Sequence, residues 1–358
     1  MKTDKSKASE SRYLISVEVD PGETDAAIRE GVPVFLDRVH ASQLAEGEDL
    51  HEGLVKRFGE ERADQALSDA VMNYLLPVAL RDLGLEPACS PVPVGEPVPH
   101  AGEPFSFQAN VYVLPPMELD DYETPVAVSV ERSYTTESEI DEQLLALAAH
   151  FSTVGESELT GNQVRTMPTI DDEWVATVYP VPGINTVEDL RAQLRHRLDT
   201  YKESDFENRK VNAAVAALAQ RLEGEAPQEI VDIIAKDMIA DVEEEVLAEQ
   251  GKVLDTVLKE QKIKREDFDR AMYDRARDSV LEALTMDAVF RHENMEVTDA
   301  DIDDAIQRIS ANAGDEASVM QAQANLREMG RTPELVEVAR RLKAGQWIAD
   351  HAQVTVEV

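Results

Sequence analysis

An α+β N-terminal domain joined to a mostly α-helical, elongated C-terminal body is the fold class that this sequence predicts. Residues 13–19 and 105–113 alternate apolar and polar side chains, the period of half-buried strands that pair. Residues 186–222 contain neither Gly nor Pro, and Val187, Leu190, Leu194, Leu198 and Tyr201 recur there at helical spacing. After Ile170 the pattern stays helical nearly to the end. At a rise of 1.5 Å per residue the stretch 186–222 spans about 50 Å, which is longer than a compact domain is wide. It is therefore expected to be a spine. Its stripe lapses at Asp205 and Asn208 and resumes at Val211, Val215, Leu218 and Leu222, so a solvated middle is expected between two buried ends.

The elements follow in order. Residues 13–19 form a strand, Pro21 and Gly22 a turn, and residues 24–39 a helix despite Gly31 and Pro33. A short connection, 40–49, leads to one helical stretch over 50–84. Residues 87–104 hold six prolines and two glycines, which excludes regular structure. The strand 105–113 closes a domain of residues 1–113. An extended linker occupies 114–135, and a helix 136–151 opens on the capping box of Thr136 and Glu139. A polar loop covers 152–169, and the helical body 170–358 follows. Within the body, Thr186 with Asp189, Pro227, Asp267, Thr298 with Asp301, and Pro333 mark helix starts. Residues 354–358 read as a strand or an extended tail.

Composition limits the function. With 72 acidic against 35 basic residues the formal net charge is −37, which repels phosphate backbones and anionic membranes and argues against direct nucleic-acid binding. A lone cysteine, Cys89, excludes an internal disulfide framework. The polar stretch 1–12 has no signal-peptide core, and no run is long enough for a membrane span, so the cytoplasm is the expected compartment.

Catalytic chemistry is not legible. His51-Glu52 and His292-Glu293 begin like a zinc-protease helix, but Val55 and Glu296 stand where the second histidine belongs. The run from Asp299 to Asp304 imitates a calcium loop without its turn glycine or its terminal glutamate, and carboxylates that complement a helix dipole explain it more simply. No phosphate-binding loop, dinucleotide fingerprint or nucleophile elbow is present. Neither cofactor nor metal is expected, and no enzyme activity is read from the residues.

The order of parts then becomes informative. Leu54-Val55-Lys56-Arg57-Phe58-Gly59 with Leu85-Glu86-Pro87-Ala88, the stretch 105–119, Asp171-Asp172-Glu173-Trp174, Thr186-Val187-Glu188-Asp189-Leu190-Arg191, the stretch 227–231 and the stretch 296–302 together resemble bacterial trigger factor, an ATP-independent chaperone family. The resemblance implies helical arms around a cradle that hold unfolded or nascent polypeptides. Adaptable side chains suit that task, and the candidates by position are Phe206, Met238, Met272, Tyr273, Met286, Met320 and Met329. Phe206 leads, because it stands off its helix's stripe. An apolar residue on a striped helix is usually core, so only a minority of these should face a client.

Two departures qualify the resemblance. The family's FKBP-like isomerase domain would fall where residues 152–169 stand, too few to fold one, so no prolyl isomerase is expected. The family's ribosome-docking signature, Gly-Phe-Arg-x-Gly-Lys, aligns with Gln43, Leu44, Ala45, Glu46, Gly47 and Glu48, where the cations are gone. Carboxylates at Glu46, Glu48 and Asp49 should repel phosphates, which argues against ribosome docking by the family's route. The alternative reading is a dedicated assembly or scaffold protein holding one folded partner in the same cradle. The sequence leaves homodimer formation open.

Overall fold

The computed structural model describes residues 1–357 other than 40, 46, 157–162, 179, 180, 182, 312–315 and 330–332, without the side chains at 153–156, 163–166, 178, 316, 328, 329, 333 and 334. Strands β1 (Lys2–Lys7) and β2 (Arg12–Val19) precede helices α1 (Pro21–Arg38), α2 (Leu50–Phe58) and α3 (Ala63–Leu83). Next come β3 (Val92–Pro93), β4 (Phe105–Tyr112), β5 (Ala127–Glu131), α4 (Glu137–His150), β6 (Thr153–Glu156), β7 (Gln163–Thr166), α5 (Asp172–Val178) and the 33-residue α6 (Val187–Ala219). Helices α7 (Gln228–Gln250), α8 (Leu254–Glu260), α9 (Arg265–His292), α10 (Asp299–Ser310), α11 (Glu316–Met329) and α12 (Pro333–His351) lead to β8 (Gln353–Glu357). The chain divides into two compact units, one of Met1–Glu123 with Leu218–Trp347 and one of Thr124–Ala217 with Ile348–Val358.

In the first unit the sheet order is β1-β2-β4-β3, with antiparallel pairing throughout. The register places Ile15 opposite Ala109 and Val17 opposite Phe107, so the alternating apolar sets share one face and bury against α1 and α3. Asp20 and Glu23 form a capping box at the start of α1, which draws Pro21 into the first helical turn instead of a separate turn. The expected single helix over 50–84 is two, because the chain turns between Gly59 and Arg62. β1 was not legible. Its residues are polar and mostly exposed, and only its pairing with β2 makes it a strand. The proline-rich segment contributes the two-residue β3 at a sheet edge, where a proline's missing N–H costs no ladder bond.

Two cores are defined among the described residues of the helical part of this unit. Ile230, Val231 and Ala235 of α7 bury against Ala276, Val280 and Leu284 of α9, together with Tyr112. Ile302, Ala305 and Ile306 of α10 bury against Leu335 and Ala339 of α12. Arg265 ties the first three helices by ion pairs to Glu243 on α7 (3.0 Å), Asp255 on α8 (3.0 Å) and Asp269 on α9 (2.7 Å).

In the second unit Ile140, Leu144 and Ala148 of α4 pack with Trp174 and Val175 of α5 and with Leu190 and Leu194 of α6. The tail strand β8 pairs in parallel with β5 of the linker, from Ala127 opposite Gln353 to Glu131 opposite Glu357. The stretch 152–169, expected as a plain loop, contains the antiparallel pair β6 and β7. The stripe of α6 runs as read through Leu190, Leu194, Val215 and Leu218 and departs at Tyr201. Tyr201 is 69% exposed, whereas Phe206 is 5% exposed with the Arg132 guanidinium 4.8 Å from its ring. Arg132 also pairs with Glu203, so a cation–π contact buries the aromatic that periodicity had placed in solvent. Asp205 and Asn208 are half-buried instead of solvated, with Asp205 pairing with Arg209 at 2.8 Å, so the open middle expected of this helix is not found.

Candidate functional site

A polypeptide-binding surface needs apolar side chains that the cores do not use. Among the described residues, the helical part of the first unit exposes five large ones: Leu247 (56%) late in α7, Val253 (62%) before α8, Ile263 (43%) before α9, Ile309 (46%) on α10 and Met320 (64%) on α11. Local structure explains three of them. Gly251 ends α7 in a left-handed conformation, and Val253 is the extended N-cap residue of α8, so no helix face claims it. Ile263 follows the end of α8 and donates its N–H to the Leu258 carbonyl at 2.9 Å. Leu247 sits beyond the α7 residues that α9 buries. The Arg265 ion pairs hold the three helix ends that carry these side chains.

Of the residues chosen from sequence, Met320 is exposed on α11. Met272 and Met286 are half-buried on α9, and Met238 and Tyr273 are half-buried against the α7–α9 core. Phe206 is buried beneath Arg132 and is corrected as a client contact. The side chain of Met329 lies outside the described residues. Val253 and Ile263 carry neither sulfur nor an aromatic ring, so the choice of adaptable side chains from sequence does not include them. The available signal was a β-branched residue just outside a helix boundary, next to Lys252 in one case and Lys264 in the other.

Carboxylates on these helices are electrostatically crowded. Burial raises the Asp237 carboxyl above the usual range, with Asp241 adding to it, and burial raises Glu282, with Asp278 adding to it. Burial pushes the Cys89 thiol up to about 11, with Asp237 contributing, so at neutral pH it is protonated and a poor nucleophile. Among the described residues no group of three or more His, Cys, Asp or Glu is placed to hold a metal. Among them also, no helix is long and apolar enough to cross a membrane.

The loop between α1 and α2 is closed on itself. Arg57 of α2 has a side chain only 8% exposed, and its guanidinium donates to the carbonyls of Ser42 (2.5 Å), Gln43 (2.6 Å) and Gly53 (2.6 Å). It also meets the Glu48 carboxylate at 3.1 Å, and that carboxylate accepts the Ala45 N–H at 2.8 Å. Hydrogen bonding to Arg57 holds Glu48 below the usual carboxylate range, with the Ala45 N–H adding to it. Gln43 donates to the Pro33 carbonyl at 3.0 Å, and half-buried Leu44 packs on the N-terminal core. Gly53 makes room for Leu44, since a Cβ there would lie 2.3 Å from its Cδ2. Ala45 and Gly47 are exposed, and Glu46 lies outside the described residues. The expectation of a freely repelling acidic tip is corrected at Glu48, whose charge is spent on Arg57, and Asp49 accepts the Glu52 N–H as the N-cap of α2. Arg57 was visible in the sequence, but nothing in its spacing showed that it turns inward.

Comparison with known proteins gives a consistent answer. Residues 1–147 match the family model described as bacterial trigger factor protein, and residues 186–350 match the model of its C-terminus. The trigger factor of Pelotomaculum thermopropionicum is 22% identical over 440 residues, covering 99% of this chain and 98% of its own length. That of Natranaerobius thermophilus is 22% identical over 435, covering 98% and 95%. That of Desulforamulus reducens is 25% identical over 189, covering 52% and 42%. A solved structure of the trigger factor chaperone aligns with 98% of this chain and 99% of its own at 12% identity, with a TM-score of 0.37. With both family models matched in order and together spanning most of its length, the chain belongs to the bacterial trigger factor family.

Proposed function

We propose that the protein is an ATP-independent chaperone of the cytoplasm that holds unfolded or nascent polypeptides on the exposed apolar side chains of its helical part. The observation that carries this reading is the set Leu247, Val253, Ile263, Ile309 and Met320, large aliphatic groups left outside two well-formed cores on a chain of net charge −37. Charge keeps such a surface soluble, while scattered aliphatic contacts accept many sequences.

The same reading assigns no prolyl isomerase activity. Only residues 148–185 separate the two matched regions, and the P. thermopropionicum alignment runs over at least 80 more positions than this chain has residues. Docking to ribosomal RNA through the α1–α2 loop is disfavoured because Arg57 is engaged by the loop itself and the signature's own cations are absent.

The test is photo-crosslinking from residues 253 and 320 to a fluorescent reduced client, with position 36 in the N-terminal core as control. Crosslinks from 253 and 320 that disappear when the client is folded support the reading. Equal crosslinking from all three positions, or none, contradicts it. In a proline-limited refolding assay the protein is expected to leave the slow phase unaccelerated.

A further inference from the structure

An extended piece of chain is already bound in the first unit. Leu119 bridges Leu222 in antiparallel fashion, the Asp120 N–H donates to the Arg221 carbonyl at 2.9 Å, and the Glu223 N–H donates to the Glu118 carbonyl at 2.9 Å. Two guanidinium groups join them: Arg291 donates to the Met117 carbonyl at 2.6 Å and Arg221 to the Asp121 carbonyl at 2.7 Å. All four bonds read backbone, so none depends on which side chains the bound segment carries. Gly224, with φ of 113°, clears space for the segment, since a Cβ there would lie 2.6 Å from the Met117 methyl carbon. Leu119 is 8% exposed, and Met117 packs on the α7–α9 core beside Leu222. Tyr122 ends the segment by stacking on His292 with ring centres 4.8 Å apart.

We propose that residues 221–224 and the end of α9 form a receptor for an extended polypeptide backbone, and that the chain's own segment 117–122 is its displaceable occupant. The receptor accepts a strand-like segment with apolar side chains two positions apart, as Met117 and Leu119 are, and the tethered segment adds side-chain contacts of its own, the Glu118 carboxylate 3.0 Å from His292 Nε2 and the Tyr122 hydroxyl donating to Glu293 at 3.1 Å. The tethered segment competes at a high effective concentration, so weakening it opens the groove to chains added in trans. This inference rests on the holding activity proposed above and adds to its exposed side chains a second site with a defined mode.

The probe is a dye-labelled synthetic peptide with the sequence of residues 115–123, titrated into the full-length protein and followed by anisotropy. Leu119→Ser in the protein should raise its affinity for the peptide at least tenfold over the unmodified chain, and adding Gly224→Val should cancel the gain. Absence of that gain in a Leu119→Ser protein with unchanged helical circular dichroism overturns the proposal. Independently, in the unmodified chain, the Asp120 amide should exchange hydrogen several-fold faster once a reduced client is present, while the Glu223 amide, passed to a carbonyl of the client, stays protected; unchanged protection at Asp120 overturns displacement. Aggregation suppression is measured on the same samples. If it persists while protection is unchanged, the groove assignment alone fails; if it is absent altogether, the holding function fails with it.

Discussion

Replacing Leu247, Val253 and Ile263 together by serine should weaken client binding by about a hundredfold while leaving the fold intact. These side chains are 56%, 62% and 43% exposed, so each offers roughly 90 Å² of apolar surface to a client. At about 25 cal/mol per Å², full coverage of one contributes about 2 kcal/mol and half coverage about 1 kcal/mol. Three half-covered side chains then give about 3 kcal/mol, which is about a hundredfold in affinity. None belongs to either helical core of the first unit, so the cost to folding should stay near the roughly 0.5 kcal/mol typical of surface changes. The assay is anisotropy of a labelled, permanently unfolded client, with urea unfolding as the control. Affinity within threefold of the parent, with an unchanged urea midpoint, refutes the reasoning.

Three further outcomes follow from the geometry. Arg57→Met removes the donor that gathers the carbonyls of Ser42, Gln43 and Gly53, so the Ala45 and Glu48 amides should exchange about tenfold faster, and Glu48→Lys should do the same without creating a ribosome dock. Unaltered exchange at Ala45 contradicts the clamp. The Lys202 ammonium, followed by the Thr136 backbone and hydroxyl, lowers the Glu139 carboxyl from 4.5 to about 2. A depressed carboxylate stabilises above its unfolded value and loses that contribution as pH falls, so Lys202→Met should flatten the fall of Tm between pH 4.5 and 2; an unchanged slope speaks against the pair. Leu284→Ala, at a side chain 1% exposed between α7 and α9, should cost about 2–5 kcal/mol by urea unfolding, and less than 1 would show that the two helices do not form the core described.

Sequence reading succeeded where one local signal decides the outcome. The alternation at 13–19 and 105–113 became β2 and β4 in register, and the boxes at Thr136 and Thr298 cap α4 and α10. It failed where pairing or a distant charge decides. β1 has no apolar side chain of its own and depends on β2 for its ladder, and the sequence left β8 open between strand and tail until β5 paired with it. Phe206 is buried by Arg132, a residue 74 positions earlier, which no periodicity within α6 can announce. The loop showed the same limit. Counting carboxylates gave a repulsive tip, whereas one arginine on α2 turns Glu48 inward and makes it part of the fold. The exposed aliphatics escaped for a related reason, because Val253 and Ile263 sit at helix boundaries where no stripe assigns them a face.

The central claim is holding without nucleotide, and light scattering of an aggregating client tests it most directly. At equimolar protein, without ATP, the scattering of a thermally or chemically unfolded enzyme should fall by more than half, and the Leu247, Val253, Ile263 triple-serine variant should lose most of that effect. Undiminished scattering in the presence of the unmodified protein contradicts the account.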